Sequence, residues 1–216
     1  MLSEKEQHHL EQFPGIDIGQ VGGRVGMGAQ HVVRCYGQEK VIKYTRVHAL
    51  RDPYSRVASP IFMRDPDGLR RDFDLCHEYF GAHVVPVEIQ TDRRNACYCL
   101  FQRKLDLVDL TPTMVQSTPE LREELEEMVC RNKQLLAAKG VWLDIKGWDS
   151  RRTQAMAPYL SNLTLAANDE EKPRLQLFDC GIFHPPKTMA LKLWHRFLRV
   201  VQESNLRRFG IRTRLA

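Results

Sequence analysis

Apolar and polar positions along this chain change period several times, and each change marks an element. Residues 1–14 are polar, without a sustained period, and read as a lead-in that frays before Pro14-Gly15. From Ile16 the chain turns to short runs of Val and Gly. These predict a strand at about 16–21, a glycine-rich turn over 22–28, a strand at about 29–36, a turn at Gly37-Gln38 and a strand at about 40–45. Residues 50–68 carry Pro53, Pro60 and Pro66 among Asp, Ser and Gly, which reads as an irregular connection. Leu69, Phe73, Cys76 and Phe80 then recur at helical spacing, with Gly81 placed to end the helix. HVVPVEIQ and ACYCLFQR predict two further strands.

The second half opens on a helix. Ser117-Thr118 offers a cap, Pro119 suits the first helical position and acids fill the first turn. Leu121, Leu125, Met128, Val129, Leu135 and Leu136 form one stripe, and Gly140 closes it. VWLDIKG follows, then a polar stretch with several basic residues over 147–158. LSNLTLAANDEEKPRLQLFDCG predicts a hairpin turning at 168–173. MALKLWHRFLRVVQESNL closes the chain as a helix, with Met189, Leu193, Trp194, Phe197, Val200 and Val201 as its apolar positions. The pattern is α+β, without internal repeats.

Composition narrows this picture. At 43% hydrophobic and 27% charged, the 216 residues are those of a globular protein rather than a disordered one. No apolar run approaches the roughly 20 residues that span a bilayer, and the polar residues after Met1 offer no signal-peptide core. The cysteines, at 35, 76, 97, 99, 130 and 180, include no CxxC and read as reduced, packed thiols of a reducing compartment. A cytoplasmic protein is expected. The net charge of +5 is unevenly spread: residues 187–216 hold eight Lys or Arg and one acid, Glu203. The last helix therefore has two readings. One is a core-packing helix with a solvated basic face. The other is contact with an anionic surface, which would make the protein peripheral to the inner membrane. Trp194 is expected to pack inward.

Four features carry chemistry. Gly26-Met27-Gly28 forms part of a glycine-rich turn of a kind that lets backbone N–H groups approach phosphate oxygens, and that is also common in plain hairpins. Lys43 shares a strand face with Val41; it either points inward toward an anion or is an edge-strand lysine. Asp144 and Lys146, in Leu-Asp-Ile-Lys, suit a base and a phosphate-neutralising cation, or a turn aspartate and its neighbour. Asn162 begins one hairpin strand and Asp179 follows its partner strand, so that the two can converge on a divalent cation or simply shape turns.

In this order the features resemble the protein-kinase-like superfamily over about residues 16–184, and SNLTL…RLQLFDCG is the best-matched stretch. The chain is similar to the small bacterial or lipopolysaccharide-kinase type. The resemblance implies two lobes: after the lead-in of 1–15, an N-lobe over 16–104 with an antiparallel sheet and one helix, and a small, mostly helical C-lobe over 105–216. It implies ATP and Mg²⁺ as cofactors. Gly26 and Gly28 would cover the nucleotide phosphates and Lys43 would hold two of them. Asp72 would pair with Lys43, with Asp74 and Glu78 as alternatives. Asp144 would be the catalytic base, Lys146 would act beside it, and Asn162 and Asp179 would bind Mg²⁺. Gln102-Arg103-Lys104-Leu105 falls where a hinge would meet adenine.

The departures are specific. His31 stands where a third glycine is usual, and Trp142-Leu143 precedes Asp144 in place of His-Arg. Seventeen residues separate Asp144 from Asn162 where the family pattern has four, which implies an insertion at about 147–159 or a shift of the metal ligand to Asp149. Only 35 residues follow Gly181, too few for an activation segment and substrate-docking helices. The expected activity is transfer of the ATP γ-phosphate to a hydroxyl of a sugar, a lipid-linked glycan or a protein. The alternatives are a pseudokinase serving as a binding module and a basic nucleic-acid-binding protein.

Overall fold

A computed structural model describes residues 1–27, 31–50, 65–92, 97–147, 159–167, 173–185 and 188–212. Gly28, Asp149, nearly all of the insertion and most of the 168–173 turn lie outside the described residues. The chain divides into two compact units, Met1–Arg71 with Val85–Leu105, and Asp72–Val84 with Asp106–Ala216. The fold is α+β.

The first unit is built on an antiparallel sheet: β1 (Val21–Met27), β2 (His31–Tyr36), β3 (Lys40–Thr45), β4 (Val87–Asp92) and β5 (Cys97–Arg103), in spatial order β1-β2-β3-β5-β4. The first strand differs from expectation. It runs through the glycines instead of ending before them, and Asp17 caps a single 3₁₀ turn, Ile18–Gln20, where the strand was expected. Glycine weakens a strand, but here it allows close approach: a Cβ on Gly22 would come within 3.2 Å of the Cys35 Cβ. Register shifts interrupt the β1–β2 pairing on both sides of Arg24.

The lead-in does not fray. Residues Glu4–Leu10 form a helix, α1, closed by a reciprocal capping box between Ser3 and Glu6. Leu10 and Phe13 are buried with Val32, Ile42, Tyr44, Cys99 and Phe101 in the core of this unit. The sparse apolar positions of 1–14 were enough: Leu10 at the end of α1 and Phe13 just beyond it join the core cluster, with Leu2 partly buried against it. Thr45 leads into a short helix, α2 (Arg46–Ala49).

The next helix, α3, runs Pro66–Phe80, buries Leu69, Phe73, Cys76 and Phe80, and ends at Gly81 with φ of 52°. From Asp72 onward it belongs to the second unit. There α4 (Pro112–Ser117), unforeseen in the sequence, precedes α5 (Pro119–Lys139), which Gly140 ends in the left-handed conformation. Two small antiparallel pairs follow: β6 (Trp142–Leu143) with β9 (Ile182–Phe183), and β7 (Leu163–Ala167) with β8 (Pro173–Leu177). The last helix, α6 (Met189–Arg208), corrects the core-packing reading of its apolar positions. Val201 is buried, whereas Met189, Leu193, Phe197 and Val200 are exposed.

Candidate active site

In the first unit, Lys43 lies on β3 at the centre of the sheet, opposite Val33 on β2 and Leu100 on β5. It is therefore no edge lysine, and it is buried. Gly26 sits within β1 opposite Val33. His31 is buried and hydrogen-bonds Tyr98 Oη at 3.0 Å, which ties the start of β2 to β5. At the end of β5, the Lys104 N–H donates to Glu39 O at 2.7 Å, and buried Gln102 donates through Nε2 to Val85 O.

The second unit assembles the acidic groups. Asp144 leaves β6 as its hydrogen bonding with β9 ends: its N–H donates to Gly181 O at 2.8 Å. The side chain folds back to accept from Gly147 N–H at 2.9 Å, closing a tight turn. Gly147 has φ of 69°, and a Cβ there would collide with Asn162 Oδ1, so both backbone and space require glycine. Asn162 returns to the same turn across the insertion, its Nδ2 donating to Asp144 O at 2.5 Å. Its own carbonyl accepts from Phe178 N–H at 3.2 Å, the residue before Asp179. Two hairpin ends and one loop thus bring Asp144, Asn162 and Asp179 together.

Burial shapes the charges. It pushes the half-buried Asp144 carboxyl up from 3.8 to about 6, against the lowering effect of Gly147 N–H and the Lys146 charge, and with a further push from the Asp179 carboxylate. Burial also lowers the Lys146 ammonium, against the pull of Asp144. Lys146 is 4% exposed, its Nζ has no hydrogen-bond partner among the described residues, and it rests 4.5 Å over the Tyr159 ring.

Two buried amides, overlooked in the sequence, fix this loop. Asn132 of α5 accepts from Leu143 N–H at 2.7 Å and donates to Leu143 O at 2.9 Å. Gln202 of α6 accepts from Ile145 N–H at 2.9 Å and Lys146 N–H at 3.2 Å, and donates to Leu143 O. Asn132 falls on the inward side of an otherwise apolar helix face, the signal that would have found it, whereas the inward face of α6 also buries Asn205 and gives no such contrast for Gln202. Asp72 is also buried, and His184 Nε2 donates to its Oδ1 at 2.6 Å.

The donor set fits Mg²⁺ in kind. Asn162 Oδ1 and the Asp179 carboxylate are hard oxygens, and the Asn162 amide is oriented by its Nδ2 bond. No group of three or more His, Cys, Asp or Glu suited to a metal ion occurs among the described residues, so water and phosphate oxygens would complete the shell.

The elements run from the central-strand Lys43 to the hairpin that Asn162 and Asp179 flank. No protein-family profile and no curated protein matches the chain. Among solved structures it is similar to the Legionella pneumophila Lpg2603 kinase bound to IP6, at 17% identity and a TM-score of 0.46, over 88% of this chain and 59% of that one. It is also similar to WaaP in complex with acyl carrier protein, at 14% identity and a TM-score of 0.43, over 95% of this chain and 77% of that one. The chain thus spans less than two thirds of the length of the Legionella kinase.

Proposed function

We propose that the chain is an ATP- and Mg²⁺-dependent phosphotransferase acting on a hydroxyl acceptor, a sugar, a lipid-linked glycan or a protein. The observation that carries this reading is the convergence of Asp144, Asn162 and Asp179, with the Asp144 carboxyl held near pH 6 by burial. A carboxylate tuned to that range is ionised at neutral pH yet basic enough to take a proton from an attacking hydroxyl. Asn162 and Asp179 would hold Mg²⁺, which when bound neutralises phosphate charge. Lys146 would add a cation beside the transferred group. Lys43 would hold the remaining phosphates, and the backbone at Gly26 and Gly28 would cover them. Catalysis on this reading is positioning and charge neutralisation, which suits a loop clamped by Asn132 and Gln202.

The test is thermal unfolding with ATP, with and without Mg²⁺, paired with an assay of ATP turnover. Ligand at a hundred times its Kd stabilises the native state by about 2.7 kcal/mol. The expected shift needs Mg²⁺ and disappears in Asp179→Ala, while Asp144→Asn keeps the shift and loses turnover. Turnover should rise with pH through about 6 as Asp144 loses its proton. The absence of a shift with any nucleotide would overturn the proposal in favour of a binding module.

A further inference from the structure

Helix α6 is apolar on two sides. Inward, Val201 and Leu206 are buried along with Gln202 and Asn205. Outward, Met189, Leu193, Phe197 and Val200 are 69%, 62%, 45% and 56% exposed. Their spacing of four, four and three residues puts them on one line over three turns, about 16 Å long. Trp194 stacks on Phe197 with ring centroids 5.5 Å apart and braces the stripe from its inner edge. Lys192 and Arg196, both exposed, follow one flank of the stripe at 100° per residue. The lone acid of the helix, Glu203, is within 3.7 Å of Arg207.

We infer that this outer face of α6 docks on an anionic lipid bilayer. Four exposed apolar side chains in a row lose water contact only against an apolar partner, and the two exposed cations along their edge, Lys192 and Arg196, favour a partner that is anionic at its surface. A bilayer meets both demands on one helix: the stripe sinks to the acyl boundary, and the long Lys and Arg side chains reach back to the headgroups. A second copy of the same stripe would bring Lys192 and Arg196 against like charges. Nucleic acid would engage the cations but leave the stripe in water. The helix lies on the surface rather than crossing it, since no helix among the described residues is long and apolar enough to span a membrane. The inference is independent of the phosphotransferase reading, because lipid binding is measured without turnover.

The experiment is flotation of the full chain with vesicles of phosphatidylcholine alone and of phosphatidylcholine mixed with phosphatidylglycerol. Binding to the anionic vesicles should exceed that to the neutral ones by at least about tenfold and weaken as salt is raised. Leu193→Ser with Phe197→Ser should lower it by about tenfold or more, and Lys192→Gln with Arg196→Gln should bring it toward the neutral-vesicle level. All four side chains are exposed, so circular dichroism should be unchanged. Failure to bind anionic vesicles, or binding that neither pair of substitutions weakens, would overturn the inference. So would a wild-type dimer that Leu193→Ser dissociates, which would assign the stripe to a second copy.

Discussion

Glu6 in the first unit and Asp144 in the second are both carboxylates withdrawn from water, and burial raises the proton affinity of each. Their surroundings then take them in opposite directions. Glu6 accepts from Arg34 Nε and Nη2 at 3.1 and 3.0 Å, from Tyr44 Oη at 2.7 Å and from Ser3 N and Oγ at 3.0 and 2.8 Å. These donors outweigh burial and hold its carboxyl down at about 2, while burial and the Glu6 contact push the Tyr44 phenol up. Asp144 has fewer donors and a like charge nearby, so burial prevails and its carboxyl rises to about 6. Its neighbour Lys146 carries an ammonium that makes no hydrogen bond among the described residues. The first cluster is satisfied and serves to hold α1 on the sheet. The second is kept short of partners, the condition in which charged groups remain available for chemistry.

Breaking the satisfied cluster should have the largest effect. Arg34→Ala leaves Glu6 buried without its guanidinium, which typically costs about 3–5 kcal/mol, and thermal or urea unfolding should show it. Glu6→Gln keeps the shape and removes the charge, and so isolates the linkage to pH. A carboxyl at about 2 when folded and 4.5 when unfolded contributes stability above about pH 4.5, and that contribution fades as pH falls toward 2. The contribution is at most about 3 kcal/mol. Urea unfolding of the wild type and Glu6→Gln should therefore diverge at pH 7 and converge toward pH 2. Parallel curves across that range would mean that the cluster acts through shape alone.

Most elements were legible because their apolar period was: α3, α5 and the β7–β8 hairpin lie where the spacing of Leu69, Phe73 and Cys76, the stripe from Leu121 and the alternation around Leu165 put them. Two kinds of feature escaped. Helix α1 has little period of its own and is stabilised by long-range contacts, with Arg34 on β2 and Tyr44 on β3, that no local window contains. The first strand escaped because glycine reads as a turn, whereas Gly22 is in a strand that passes close to Cys35. At the site, the types of Asp144, Asn162 and Asp179 were readable. Their convergence across the insertion is a property of backbone pairing, with Asp144 bonded to Gly181 and Asn162 to Phe178. Asn132 and Gln202 were hidden for a related reason: their partners are loop backbone groups, 11 residues away for Asn132 and 56 to 59 away for Gln202.

Next in size are the substitutions that relieve the unsatisfied cluster. A carboxyl at about 6 when folded and 3.8 when unfolded binds its proton more tightly in the native state, so stability falls as pH rises from about 4 to 6. Asn at this position still accepts from Gly147 N–H and carries no charge. Asp144→Asn should thus be more stable than the wild type by about 1–2 kcal/mol at pH 7, a figure reduced for the partial exposure of the carboxylate. The gain should vanish below about pH 4, where both forms are neutral. Urea unfolding at pH 4 and pH 7 measures it, and a destabilised Asp144→Asn at pH 7 would show that the carboxylate is structural.

Lys146→Met should have the smallest effect, because two changes oppose each other. Burial disfavours the ammonium, so removing it relieves a cost that the wild type carries below the depressed pKa and loses as pH rises toward 10.5. The same change withdraws a cation that favours the ionised Asp144, and so raises the cost of that carboxylate at pH 7. The single variant should therefore lie within about 1 kcal/mol of wild type, as opposed terms leave little net change. In the Asp144→Asn background the second change no longer operates, and Lys146→Met should then stabilise by more than it does alone. A double-mutant cycle by urea unfolding at pH 7 reads this coupling. A cycle that closes with no interaction would mean that Asp144 and Lys146 do not sense each other's charge, and the contrast with Glu6 and Arg34 would then rest on Asp144 alone.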